Sequence, residues 1–178
     1  MTIPNIISTI RLMLAPVVFV LLLDHQYSLG LALFIIAGTS DIIDGYLARH
    51  YHLRSKLGSY LDPLADKLLV VPSVGYFVWI GDAPWWWFAI ILLRDLFLGF
   101  GVLILRKLAS PIEIFPTWVG KGATVLNMLA IVSLFCERSY PMLHQVTFAV
   151  ILLASTFTLG SLWQYATTGV QLYRRRGT

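Results

Sequence analysis

The sequence predicts an all-α integral membrane protein with six transmembrane helices and both termini on the cytoplasmic side. Three observations carry that expectation. The first is composition: 58% of the 178 residues are hydrophobic and 12% are charged, where a soluble domain carries roughly a quarter charged residues. Mean hydropathy is +0.78. The second is the recurrence of apolar stretches at about 6–23, 29–49, 59–80, 85–106, 118–136 and 142–165, each within the roughly 17–25 residues that a helix needs to cross the hydrocarbon core. The third is the placement of basic residues, of which seven out of thirteen fall in three short clusters.

The first stretch is interrupted by Arg11, and no small-x-small cleavage pattern follows at Asp24-His25-Gln26, so it reads as a retained helix rather than a signal peptide. The breaks between stretches have loop chemistry: Asp24 to Ser28, His50 to Leu57, Gly81-Asp82-Ala83-Pro84, Lys107 to Pro116, and Glu137 to Pro141. With six spans, loops alternate sides. One side collects Arg54, Lys56, Arg106, Lys107 and the terminal Arg174, Arg175 and Arg176; the other holds Asp24, Asp82, Glu137 and one base, Arg138. The positive-inside rule assigns the basic side to the cytoplasm, or to the matrix in a mitochondrion. Trp85, Trp86 and Trp87 then fall at the opposite interface, where an aromatic belt is expected.

No repeat or low-complexity tract divides the chain, which reads as one membrane domain over 1–178. The lone Cys136 forms no internal disulfide and contributes to no metal-ligand cluster. The net charge of +4 does not indicate nucleic-acid binding, because no basic face is interleaved with exposed aromatics.

Against this apolar background, Asp41, Asp44, Asp62 and Asp66 lie close together at the predicted cytoplasmic ends of helices 2 and 3. Spacings of three and four place each pair on one helix face. Helices joined by a short loop run antiparallel as neighbours, which brings the two pairs together. Unshielded carboxylates so arranged repel one another and carry a large desolvation cost. Divalent cations resolve this, and an all-oxygen ligand set selects hard ions such as Mg2+, Mn2+ or Ca2+. Gly45 costs about 1 kcal/mol relative to alanine in a helix, which suggests the close approach of a ligand or another helix. Ala48 and Gly58 keep the same region small, and Arg49 offers a planar bidentate donor suited to phosphate. Together these residues describe a metal-bound diphosphate site.

The string Asp41-x2-Asp44-Gly45-x2-Ala48-Arg49-x8-Gly58-x3-Asp62-x3-Asp66 resembles, without departure, the signature of the CDP-alcohol phosphotransferase family, with eight fixed positions over 26 residues. The resemblance extends over essentially the whole chain. It implies a six-helix membrane enzyme, usually a homodimer, with a polar cavity open to the cytosol or matrix of a bacterial cytoplasmic or mitochondrial inner membrane. It further implies transfer of a phosphatidyl group from CDP-diacylglycerol to an alcohol, with release of CMP. By resemblance, the four aspartates hold two divalent cations, Mg2+ or Mn2+. Asp66 is the general base on the acceptor hydroxyl, and Gly45, Ala48, Arg49 and Gly58 cradle the CDP group.

The acceptor is carried by other residues. Arg94 and Asp95 lie mid-span in helix 4, where charge is costly and usually functional, and Lys121 lies in Gly120-Lys121-Gly122 near the start of helix 5. The functional reading puts all three in the acceptor's phosphate pocket; the simpler readings are an internal ion pair for Arg94 and snorkelling for Lys121. Phosphatidylglycerophosphate synthases typically carry Arg-Glu in helix 4 and a second arginine two turns later, whereas no arginine follows Arg94 before Arg106. The CDP-diacylglycerol-dependent cardiolipin synthases are more similar, in Arg94-Asp95 and in Pro116-Thr117-x2-Gly120-Lys121-x2-Thr124. The favoured acceptor is therefore phosphatidylglycerol, with glycerol 3-phosphate as the alternative, supported by the likeness of Pro4-Asn5, Thr9 and Arg11 to the N-terminal segment of the phosphatidylglycerophosphate synthases. A divalent-cation transporter is the remote reading from the acids alone, but Leu31 to Ala37 and Leu68 to Val71 are apolar and continue no polar path.

Treatment with EDTA is expected to abolish transfer, and Mg2+ or Mn2+ to restore it; turnover that resists chelation would remove the metal reading. Asp66→Asn should abolish transfer while CDP-diacylglycerol binding remains measurable, and substantial turnover by that variant would exclude Asp66 as the base.

Overall fold

The apolar stretches fold as helices: α1 spans Ile3–Leu23, α2 Tyr27–His50, α3 Gly58–Trp79, α4 Trp85–Leu108, α5 Trp118–Ser139 and α6 His144–Arg174, with a 3-10 turn at Pro141–Leu143 leading into α6. The structure, a computed structural model, describes residues 3–50, 58–108 and 117–174, with side chains described over 8–40, 64–100 and 117–168. Among these residues there is no strand. Two helical segments, Trp118–Ser139 and Pro141–Thr168, are long and apolar enough to cross a membrane, and Ser8–Leu23 and Tyr27–Ser40 are shorter apolar helices.

The largest departure from the expected boundaries is α6, which continues to Arg174 beyond the apolar run ending near 165. Hydropathy marks where side chains stop being apolar, whereas the helix persists as long as its backbone bonds do. The polar Thr167 and Thr168 fit that continuation because their hydroxyls donate back to Gln164 O at 2.9 and 2.8 Å.

Two helix ends close by the same device. His25 adopts φ 57° and Gly81 φ 85°, the left-handed conformation of a helix C-cap. Gln26 N donates to Leu21 O and Asp82 N to Phe77 O, at 2.8 and 2.9 Å, so each turn satisfies a carbonyl that its helix end leaves open. Glycine suits that conformation. Histidine at the first turn is held by its ring, since Nδ1 lies 2.9 Å from the Tyr27 hydroxyl and 3.1 Å from that of Tyr76.

The chain divides into two units, Met1–Ala83 with Ile131–Gln145, and Pro84–Ala130 with Val146–Thr178. In the first, α1 lies along both α2 and α3, while α2 and α3 meet over a shorter stretch. The reason is visible on α1, where Ser8, Arg11, Ala15, Val18 and Leu22 are buried. Their spacing of three and four residues makes one continuous stripe. The first unit's aromatic centre is Phe135, packed 5.8 Å from Phe34 and edge-on at 5.2 Å to Phe77, centroid to centroid.

In the second unit, Trp87 is fully buried and its indole N–H donates to Asn127 Oδ1 at 2.9 Å. Asn127 Nδ2 donates onward to Thr158 Oγ1 at 2.9 Å and to Ala123 O at 2.8 Å. One asparagine thus joins α4, α5 and α6. Close approach of α5 and α6 depends on Gly120 and Gly122, where an added Cβ would come within 3.0 Å of the Tyr165 hydroxyl and 3.2 Å of Phe157.

Large apolar side chains are exposed and several polar ones buried. Met13, Leu29, Trp118, Met142 and Trp163 are exposed, while Arg11, Asn127, Thr158 and Ser161 are buried. Helices solvated by lipid gain nothing by hiding apolar groups but must hide and pair polar ones. Asn127→Leu should therefore destabilise the protein, because it orphans the buried Trp87 donor at a cost of about 1–3 kcal/mol. Thermal unfolding in detergent micelles measures this, and Trp87→Phe, which removes the donor as well, should partly rescue the Asn127→Leu variant.

Candidate active site

The eight positions of the aspartate motif fall on two helix ends of the first unit. Asp41, Asp44, Gly45, Ala48 and Arg49 lie in the last turns of α2, and Gly58, Asp62 and Asp66 in the first turns of α3. The backbone is helical at all of them, so the spacings of three and four are helical spacings. The side chains of Asp41, Asp44, Gly45, Ala48, Arg49, Gly58 and Asp62 lie outside the described residues. Asp66 is described: it is half-buried, next to Ala65 on the buried stripe that continues through Leu69 and Ser73, and it interacts with a neighbouring group.

Just ahead of the motif, Thr39 Oγ1 donates to Ile35 O at 2.8 Å and Ser40 Oγ to Ile36 O at 2.6 Å. These hydroxyl protons are engaged within α2. The donor set of the motif is four carboxylates, which fits a hard divalent cation. Among the described residues, which include only Asp66 of the four, no cluster of metal-ligating side chains occurs.

The second unit carries the remaining predicted site residues. Arg94 of α4 has a side chain 14% exposed and is held by two hydrogen bonds: Nε donates to Ser161 Oγ at 3.2 Å, and Nη2 to Gly120 O at 3.3 Å. Asp95 Oδ1 lies 3.9 Å from Arg94 Nη1, close enough for charge attraction but too far for a hydrogen bond. Lys121 adjoins Gly120 in sequence, yet it is exposed and its Nζ lies over the Trp118 ring, 5.0 Å from the centroid. Arg94 is thus built into the unit, and Lys121 is turned onto an exposed indole as a snorkelling lysine would be.

The family model for CDP-alcohol phosphatidyltransferase matches residues 1–160. The chain belongs to the CDP-alcohol phosphatidyltransferase family. It is 35% identical over 150 residues to a putative cardiolipin synthase of Mycobacterium tuberculosis, covering 84% of this chain and 71% of that protein. It is 33% identical over 162 residues to a probable phosphatidylglycerophosphate synthase of the same species, covering 87% and 74%. Human cardiolipin synthase (CMP-forming) is 47% identical over 70 residues, which is 39% of this chain and 23% of that one. This protein is therefore an enzyme of phosphatidyl transfer, and the cation-transport reading is set aside.

Several residues of this transferase escaped the sequence reading. Ser161 carries no signal in an apolar helix, since a lone serine there usually bonds its own backbone. Ser161 does so as well, donating to Thr158 O at 3.1 Å. Arg11, which interrupts the first apolar stretch and belongs to the Pro4-to-Arg11 likeness, is 1% exposed and engaged with neighbouring groups. At the other end of the first unit, Arg138, read as the lone base of its side, pairs with Asp82 at 2.5 Å and stands 5.4 Å from the centroid of the Tyr27 ring. Burial raises the Asp82 carboxyl above its ordinary value, and the Arg138 guanidinium draws it back down. Glu137 Oε1 meets His144 Nδ1 at 2.6 Å. With the Tyr27–Tyr76 hydroxyl contact at 3.0 Å, these pairs tie the loops at that end together.

Proposed function

We propose that this transferase moves the phosphatidyl group of CDP-diacylglycerol onto phosphatidylglycerol, forming cardiolipin and releasing CMP. The observation that carries the choice of acceptor is the charge around Arg94. Among the described residues of the second unit, one guanidinium is built into the helices, while the neighbouring ammonium of Lys121 is engaged by Trp118. A single fixed cation matches a phosphodiester, which carries one negative charge; a dianionic monoester calls for more. The named cardiolipin synthases among the relatives support the same reading.

The roles follow from side-chain chemistry. Asp66 accepts the proton of the acceptor hydroxyl as its oxygen attacks the β-phosphorus of CDP-diacylglycerol, and the bond from that phosphorus to the CMP oxygen breaks. Two divalent cations, Mg2+ or Mn2+, held by Asp41, Asp44, Asp62 and Asp66, would supply charge neutralisation for the diphosphate and the departing CMP. Gly45, Ala48 and Gly58 leave room for the nucleotide, and Arg49 binds its phosphates. Arg94, with Asp95 alongside, binds the acceptor's phosphate, and Lys121 contributes at the membrane interface.

The proposal includes one membrane domain crossing the bilayer six times, both termini and the aspartate motif on the cytoplasmic or matrix side, and a homodimeric assembly in a bacterial cytoplasmic or mitochondrial inner membrane. A second reading, with glycerol 3-phosphate as acceptor, is favoured by the phosphatidylglycerophosphate synthase relative and by the burial of Arg11 within the Pro4-to-Arg11 segment.

Purified enzyme given labelled CDP-diacylglycerol and, separately, phosphatidylglycerol, glycerol 3-phosphate or inositol phosphate should yield labelled cardiolipin. Phosphatidylglycerophosphate as the sole product would establish the second reading. Arg94→Gln should raise the acceptor KM about tenfold or more, the value of a hydrogen bond to a charged group. Lys121→Gln should change it by less than about threefold, as for an exposed charge.

A further inference from the structure

The Arg94 guanidinium has five N–H donors. Among the described residues, Ser161 takes the Nε proton and Gly120 O takes one from Nη2, while Asp95 stands beyond hydrogen-bonding range. Both Nη1 protons and one on Nη2 remain for a ligand. The two bonds approach from different helices, Ser161 on α6 and Gly120 on α5, so they fix the plane of the fork and not merely its position.

Gly120 also sets a second donor in place. A Cβ at Gly120 would lie 3.0 Å from the Tyr165 hydroxyl and 3.1 Å from Thr117 Oγ1, so the glycine lets that hydroxyl approach closely. Thr117 Oγ1 already accepts from Gly120 N at 3.1 Å. Tyr165 follows Ser161 by four residues on α6, one turn along the same face. Among the described residues its hydroxyl has no hydrogen-bond partner, although the residue is half-buried.

We propose that α6 completes the acceptor's phosphate subsite: Ser161 is the positioning residue that orients Arg94, and the Tyr165 hydroxyl is a neutral second donor to the same phosphate group. This rests on the assignment of Arg94 to the acceptor. A phosphodiester offers two non-bridging oxygens sharing one negative charge. One guanidinium and one phenol supply donors to both oxygens while adding a single positive charge. The pairing is therefore a specificity device, which binds a diester fully and leaves a monoester's second charge unmatched.

The test measures KM for CDP-diacylglycerol and for the acceptor separately, with phosphatidylglycerol and with glycerol 3-phosphate, in Tyr165→Phe, Ser161→Ala, Ser161→Thr, Arg94→Gln and the Arg94→Gln/Ser161→Ala double variant. Tyr165→Phe removes only the hydroxyl and should raise the acceptor KM about tenfold with the CDP-diacylglycerol KM and melting temperature unchanged. Ser161→Ala should raise the acceptor KM to a similar degree, Ser161→Thr should restore it, and Ser161→Ala should add nothing once Arg94 is Gln.

A normal acceptor KM in Tyr165→Phe would overturn the phenol's role. An undiminished Ser161→Ala effect in the Arg94→Gln background would overturn positioning. If Arg94→Gln shifts the acceptor KM while both α6 variants behave as wild type, the α6 proposal fails and the Arg94 assignment stands. An unshifted Arg94→Gln removes both. Turnover with glycerol 3-phosphate alone would replace the acceptor and overturn the diester preference.

Discussion

A guanidinium placed in an apolar helix has to be given partners, and much of the second unit follows from meeting that requirement for Arg94. In lipid, an unpaired ionised group is too costly to keep. Two of its donors are therefore satisfied by a carbonyl on α5 and a hydroxyl on α6. Those bonds in turn need α5 and α6 to approach closely, which the absent side chains of Gly120 and Gly122 permit. The same logic extends along the unit through Asn127, which serves Trp87 and Thr158 at once. Polar pairing does here what hydrophobic burial does in a water-soluble bundle.

The first unit meets the constraint differently at its two ends. Where α1, α3 and α5 terminate, charges pair directly, Arg138 with Asp82 and Glu137 with His144, and the tyrosine hydroxyls fill in between. Where α2 ends and α3 begins, the sequence sets Asp41, Asp44, Asp62 and Asp66 among Arg49, Arg54, Lys56 and Lys67. A diphosphate needs counter-cations, and carboxylates are the side chains that recruit hard divalent ones. One end of the unit is closed by paired charges, and the other carries the motif.

Helix positions were legible in the sequence almost to the residue, because a long apolar run has few other ways to satisfy its backbone. The exception, the continuation of α6 to Arg174, occurs where backbone bonding outlasts apolarity. The aspartate motif was legible because its spacings are those of a helix and its residue types are costly anywhere else. Arg94 was legible as an anomaly, a charge in mid-span. Ser161 and Tyr165 were not, since a serine and a tyrosine on an apolar helix are ordinary residues until something is placed beside them.

The sequence by itself determined the all-helical chain, the family and the helical spacing of the aspartate motif. All three depend on local costs: apolar runs, helical periodicity and clustered charge, each paid or avoided within a few residues of itself. Only the tertiary structure shows how Arg94 and Lys121 are held. They lie 27 positions apart in sequence, 94 against 121, and both read as cations for one phosphate. Packing holds the first between two helices and turns the second onto Trp118. Whether a charge is presented to a ligand depends on the groups that surround it, and those come from helices distant in the chain.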